Sequence, residues 1–289
     1  MTMRAELQIS DRKGDLLRGD YIFLWTSPSQ WREEIRFANY VRLRVGDANG
    51  YWQTSGLNYQ PEKVFQLDTL LHLKEATRVA TKEGLGKVRN RKSGGMLESC
   101  TDVKWRGTTE RTLCFDDADG TLADIEYRRV DQEPPLDITR IEYGAFETVA
   151  GKLVPYQIRA LNGQKVVAAV TVTEITPITQ QDSALFKAPL NAEFWAQCDD
   201  MQQPEAANQV LPKYPAEAKA NYEQGRVIVY AVVETDGSLS HLAIIQGAAP
   251  DLEAAALEAV RQWHYKPPTC IHKPIRMETS VNVDFVLGQ

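Results

Sequence analysis

The stretch "EAVRQWHYKPP", residues 258–268, decides the fold. Val260 and Trp263 continue an apolar stripe that begins at Leu252 and runs through Ala255, Ala256 and Ala259. That spacing predicts a helix between Pro250 and His264 with one buried face. Asp251 and Glu253 stand at its positive end, and Arg261 and His264 are expected at its negative end as dipole partners. Pro267 and Pro268 forbid its continuation.

Working outward from this helix, a compact α/β pattern appears on both sides. "YPAEAKANY" predicts a short helix opened by Pro215. "GRVIVYAVVE" and "LSHLAIIQG" read as strands joined by "TDG", a hairpin signal. "TSVNVDFVL" alternates Val281, Val283, Phe285 and Leu287 on one side with Asn282 and Asp284 on the other, as a half-buried strand does. Before this unit, "AQCDDMQQPEAANQVLPK", residues 196–213, is polar, contains two prolines and reads as a linker.

The first two thirds of the chain carry a different pattern. "DYIFLWTS", "QWREEIRFANYVRLRVG", "LADIEYRRV", "RIEYGAFETV", "LVPYQIRALNG" and "QKVVAAVTVTEI" are rich in β-branched and aromatic residues and are punctuated by Gly, Asp, Asn and Pro. A large antiparallel sheet follows. Residues 61–84 alone break the pattern, with Val64, Leu67, Leu70, Leu71 and Leu73 near helical spacing, which predicts one or two short helices covering the sheet.

With 289 residues, 43% apolar and 25% charged, the chain can bury real cores. Its net charge of −6 argues against nucleic acid or anionic lipid as a general partner. No window has the length and apolarity of a membrane helix, and "MTMRAELQISDRKGD" lacks the apolar core of a secretory signal. A signal peptide or anchor, with a leading strand, is expected to precede residue 1.

Four cysteines bear on the compartment. Cys100 and Cys114 stand on two β-type arms around "RGTT", where equidistant positions face each other across a hairpin, and a bridge is expected there, two buried thiols being the alternative. Cys198 and Cys270 are expected to bridge as well, pinning the linker to the second domain; two unrelated thiols are the alternative. If a bridge forms, the protein is expected outside the cytosol.

Catalytic and metal motifs are not indicated, so an enzyme is not expected. His72, His241, His264 and His272 form no HExxH pair, "GLGKV" falls short of a P-loop, and the third glycine of a dinucleotide fingerprint would fall on Arg89. "FDDADGTLADIE" approaches a calcium loop, but its first ligand position is Phe115 and a strand pattern follows, so it reads as a hairpin turn. "KVRNRKSGG", with Lys87, Arg89, Arg91 and Lys92, reads as a solvated loop.

From "KYPAEAKANY" to "VNVDF" the chain resembles the C-terminal domain of the TonB energy-transducer family. The residues match in order as well as in type: Tyr214-Pro215 opening a helix with Ala218, Gly225 before a Val-rich strand, Asp236-Gly237 in the hairpin, then Ala-Leu-x-Ala-Val and Trp263-x-Tyr265-x-Pro267. The resemblance implies a periplasmic domain of two helices on a small antiparallel sheet, gripping an extended peptide of an outer-membrane receptor as an added strand. Tyr214, Pro215, Arg276, Glu278, Ser280, Asn282 and Asp284 are the implied partner-binding residues, and a homodimer through the same edge is the competing use. A transducer also needs a membrane helix and a Pro-rich spacer, which this sequence does not show.

The first domain resembles the LolA-like lipoprotein carriers through "LWTSPSQWREEIRF", "GDANGYW", "GKLVPYQIRALNGQKVVAAVTVTEITPI" and "DSALFKAP". That resemblance implies a curved antiparallel sheet, a half-barrel with short helices, enclosing an apolar cavity for an acyl chain. Trp25, Trp31, Phe37 and Trp52 are its cavity candidates, ordinary core packing being the other reading. The expected architecture is thus α+β: residues 1–196 as the β domain, 197–212 as linker and 213–289 as the TonB-type domain. The expected function is non-enzymatic envelope binding, with lipid or lipoprotein carriage as the alternative, and no cofactor is expected.

Overall fold

A computed structural model of the chain describes residues 1–10, 15–38, 40–54, 67, 70–71, 84–105, 108–128, 138–178, 183–198 and 200–287. Of these, 62% lie in strands, the sheets are open and helices are few. In chain order the strands are β1 (Thr2–Ser10), β2 (Leu16–Ser27), β3 (Gln30–Phe37), β4 (Tyr40–Asp47), β5 (Gly50–Thr54), β6 (Arg89–Ser93) and β7 (Met96–Trp105). There follow β8 (Thr108–Asp116), β9 (Leu122–Tyr127), β10 (Arg140–Val149), β11 (Lys152–Asn162), β12 (Lys165–Thr176), β13 (Ala192–Ala196) and β14 (Met201–Gln202). The last are β15 (Glu205–Asn208), β16 (Gly225–Val233), β17 (Leu239–Gln246), β18 (His264–Lys266), β19 (Thr269–Cys270), β20 (Lys273–Pro274) and β21 (Met277–Phe285). The α-helices with described bounds are α1 (Ala216–Ala220) and α2 (Pro250–Val260), and Ser183–Phe186 form a short 3-10 helix. Leu67, Leu70 and Leu71 are helical too, and the remainder of the helices expected over 61–84 lies outside the described residues.

Two compact units do not follow chain order: one is Met3–Tyr21 with Lys63–Thr176, the other Met1–Thr2, Ile22–Glu62 and Pro177–Gln289. In the first, strands run in the order β1-β12-β11-β10-β9-β8-β7-β6. Strand alternation gives this sheet one apolar face, where Leu113, Ile125, Ile141, Ala160 and Ala168 fall in cross-strand register and are all buried. The other face carries charge. Cys100 stands opposite Cys114, Cys114 opposite Asp124, Asp124 opposite Glu142 and Glu142 opposite Arg159.

The basic run 87–92, expected as a solvated loop, is instead partly the strand β6. Arg89 makes a two-pronged pair with Asp102 at 2.8 and 3.2 Å, and Arg91 bonds Glu98 at 2.7 Å, Glu126 at 2.6 Å and Asp124. Buried Glu98 and Asp124 need compensating charge, and a strand brings the arginines into register to supply it. The "DADG" segment is the expected turn, with Asp119 accepting from Thr121 and β9 following.

In the second unit β13, β5, β4, β3 and the later part of β2 form one sheet, and β17-β16-β21 form another. Leu252, Ala256 and Val260 of α2 pack with Ala218 of α1 onto Val227, Val229, Val233, Val281, Val283 and Phe285. Helix α2 ends at Val260 with Arg261 as its C-cap, so His264 is not the helix-end partner that was expected; it opens β18, opposite Asn208. The segment 197–212, expected as a linker, carries β14 and β15, which pair with β19 and β18.

Candidate partner-binding edge

The motif read at the outset locks this small sheet together. Trp263 Nε1 donates to the Val210 carbonyl at 2.8 Å, tying the segment before α1 to the end of α2. Two residues on, the Tyr265 amide donates to the Gly237 carbonyl at 2.8 Å. Gly237 sits at φ +87°, and a β-carbon there would stand 2.0 Å from the Tyr265 carbonyl oxygen, so the hairpin tip between β16 and β17 requires glycine. Asp236 completes the turn by accepting from the Ser238 amide and hydroxyl at 2.9 and 2.6 Å.

Strand β16 is central and β21 is outermost, paired with β16 from Gly225 opposite Phe285 to Val233 opposite Met277. Among the described residues no strand pairs with the outer edge of β21. An unpaired edge presents backbone donors and acceptors along its length. Val281, Val283 and Phe285 turn toward the helices, whereas Leu287, expected on the same side, lies beyond the strand with its amide on Gln224 Oε1 at 3.0 Å.

The implied partner-binding side chains are mostly engaged within the chain. Tyr214 meets Phe285 edge-on at 5.5 Å and its hydroxyl donates to the Glu223 carbonyl, while Pro215 caps α1. Arg276 pairs with Glu193 of β13 at 2.5 Å and with Glu234 at 2.7 Å, and lies 5.1 Å over the Trp195 ring. Glu278 accepts from the Tyr230 hydroxyl at 3.0 Å and stands 4.0 Å from Arg44 of β4. Asp284 pairs with Arg226 at 2.6 Å. Ser280 and Asn282 lie between these positions, partly buried. With these side chains engaged, the outer side of β21 presents chiefly its backbone.

The face of β16 and β17 turned away from the helices is covered too. Ile228, Tyr230, Val232 and Ile245 pack with Trp195 and Tyr51. Beside them runs a cross-strand row of Glu33, Arg44, Gln53 and Glu193 on β3, β4, β5 and β13. Glu33 lies 3.4 Å from Arg42 and 3.6 Å from Arg44, and Arg44 bonds Gln53 at 2.5 Å and stacks 5.1 Å over Tyr51. Burial pushes the Tyr230 hydroxyl far up and the Glu278 carboxylate pushes it further, so it stays protonated as the donor to Glu278. No sequence signal marked this row, because a charged residue at an alternating position reads as solvent-facing.

The four cavity candidates do not share one site. Trp31 lies flat across Gly46, on the same face as Arg44 and Phe37, and Phe37 is buried core. Trp52 stands opposite Val45 and therefore on the other face, 5.1 Å from Phe194. Trp25 is 41% exposed. A strand period of two separates residues that composition alone groups together. None of the four lines the groove of about 380 Å³ in the other unit, which is formed by Leu16, Val166, Ala168, Val170, Gln157 and Arg159 among others.

Both expected disulfides are formed, Cys100 with Cys114 and Cys198 with Cys270. Glu98 has a ligand atom within 4.8 Å of both sulfurs of the first, but those sulfurs are bonded to each other rather than held as thiolates.

Among the described residues the result is a helix-backed three-stranded sheet whose terminal strand β21 has no partner on its outer side. Residues 210–287 match the family described as Gram-negative bacterial TonB protein C-terminal. No curated protein matches the chain. Similar solved structures include a LolA superfamily protein from Nitrosomonas europaea, 12% identical with a TM-score of 0.41, covering 64% of this chain and 89% of that one. A domain described as an outer membrane lipoprotein-sorting protein from Vibrio parahaemolyticus is 8% identical with a TM-score of 0.39, covering 64% and 88%. The Pseudomonas aeruginosa MucA/MucB complex contains a chain 11% identical with a TM-score of 0.27, covering 75% and 67%. The family match points to the periplasm or envelope of a Gram-negative bacterium. Among the described residues no helix is long and apolar enough to cross a membrane.

Proposed function

We propose that this is a non-enzymatic envelope protein whose C-terminal domain captures an extended peptide or partner protein, such as an outer-membrane receptor, by adding it as a strand to β21 in TonB-dependent transport. In this reading residues 1–196 form a LolA-like half-barrel domain, 197–212 the connection and 213–289 the capturing domain. The observation that carries it is the unpaired outer edge of β21, fixed at one end by Arg276 and at the other by Phe285 against Tyr214. Backbone bonds to that edge supply affinity, and alternate side chains of the peptide choose between the Val281/Val283 side and the Ser280/Asn282 side.

The test is an NMR titration of the full chain with short peptides from outer-membrane receptors. Amide shifts concentrated in residues 277–285 are expected. Shifts elsewhere only, or none, overturn the reading. Concentration-dependent shifts of the same amides without peptide would show that a second copy takes the edge instead.

Carriage of an acyl chain is the second reading, favoured by the groove along Leu16, Val166, Ala168 and Val170. Acyl chains in a mass-spectrometric extract of the purified protein support it, and their absence removes it.

A further inference from the structure

The two halves of β21 differ in what stands behind them. At its head, Arg276 is held between Glu193 at 2.5 Å and Glu234 at 2.7 Å, and Glu278 between Tyr230 and Arg44. Glu193 and Arg44 belong to β13 and β4, so the N-terminal sheet backs this half on the face away from the helices. At its far end, Asp284 is 49% exposed and meets only the nearby Arg226 of β16 among the contacts described. Asp284 thus marks the exposed end of that half.

We propose that Glu193 and Arg44 are positioning residues of the binding edge: by fixing Arg276 and Glu278 they order residues 277–280 in advance, so that an incoming strand nucleates there and zips toward Phe285. This rests on the reading that β21 receives a strand. The physical reason is entropic. Ordering a free strand costs conformational entropy at every residue. A strand already ordered by side-chain contacts presents its edge without that cost, which raises affinity with no new contact to the partner. Arg44 is suited to the task because its own position is fixed by Gln53, Glu33 and Tyr51. Glu193 is suited because β13 sets it in the same cross-strand row.

The test uses the full chain with Glu193→Gln, which keeps the side-chain volume and removes the charge. Without any peptide, amide hydrogen exchange of residues 277–280 is expected to accelerate about tenfold, while residues 282–285 and α2 are unchanged. The affinity for a receptor peptide is expected to fall about fivefold. A control that keeps the charge, Glu193→Asp, is expected to retain most of both. Unchanged exchange at 277–280, or equal acceleration across the whole C-terminal domain, overturns the proposal. If wild-type protein binds no peptide, strand capture fails, yet the exchange pattern still decides the positioning role. If peptide binds equally well to wild type and variant, capture stands and positioning falls.

Discussion

Arg276, at the head of β21, and Glu193, on β13, stand 2.5 Å apart with the Arg276 guanidinium over the Trp195 ring. Two segments far apart in sequence thereby share one partly buried charge pair. The small C-terminal sheet is consequently bound on both faces: by its own helices on one, and by β5 and β13 on the other.

On that second face Arg44 meets Glu33, Gln53, Tyr51 and Glu278. Replacing it with Ala leaves Glu33, 1% exposed, with one arginine fewer and removes the cation facing Glu278. Arg44→Ala is expected to cost about 3–5 kcal/mol, the range for breaking a buried pair. Arg44→Lys recovers only part, since an ammonium cannot reproduce both the bond to Gln53 and the stacking on Tyr51. Urea denaturation midpoints of the three proteins check the order.

Glu234 makes the same face sensitive to acid. Burial acts to raise its carboxyl, but hydrogen bonds from Arg276 and Ser240 outweigh it and hold the group below its ordinary value of 4.5. With the folded value below the unfolded one, its stabilisation is complete above about pH 4.5 and is lost as the pH falls through the folded value. Because the site is partly exposed, the effect is about 1 kcal/mol or less. Thermal melts of wild type and Glu234→Gln between about pH 3 and 7 are expected to differ near neutrality and to converge at the acid end.

Gly237→Ala tests the hairpin tip. The added methyl would stand 2.0 Å from the Tyr265 carbonyl at a φ of +87°, so both clash and backbone strain oppose it. A loss of about 2–3 kcal/mol is expected, compounded from αL strain and displacement of the Tyr265 bond. Gly163→Ala, at φ +60° with nothing near its β-carbon, is the control and is expected to cost about 1 kcal/mol. Melting temperatures separate the two.

Removing Cys198 and Cys270 together releases a closure spanning a sequence separation of 72. The unfolded chain then gains loop entropy worth about 4 kcal/mol on the chain-entropy model. The Cys198→Ser/Cys270→Ser protein is expected to show faster amide exchange at Met201 and Gln202, which pair with Cys270 and Thr269, while β16 stays protected. Equal protection at these positions would show that the bridge adds nothing to the β14–β19 pairing.

Much of the C-terminal domain is legible in the sequence because its signals are local. The stripe from Leu252 to Val260, the Asp236-Gly237 turn and the alternation of Val281, Val283 and Phe285 each need only a period or a turn type to be read. Where a signal depends on a neighbour, it is lost. His264 has the chemistry of a helix-end partner, but Asn208 pairs with it in β18. Arg89 and Arg91 read as solvated until Asp102, Glu98 and Asp124 are placed beside them by strand register.

Periodicity, turn chemistry and hairpin spacing are properties of nearby residues, and from them the sequence alone yields the helix-backed C-terminal sheet, the strand-rich character of the rest and the expectation of a Cys100–Cys114 bridge, whereas Cys198 and Cys270, 72 residues apart, are brought together only by the fold. Tertiary structure alone decided what covers the far face of that sheet. Glu33, Arg44 and Gln53 alternate like surface residues on β3, β4 and β5, and only pairing with β13 and packing against Tyr230 and Glu278 turns them into a buried row. The same packing engages the side chains of Arg276 and Glu278, while the outer backbone edge of β21 has no paired strand among the described residues.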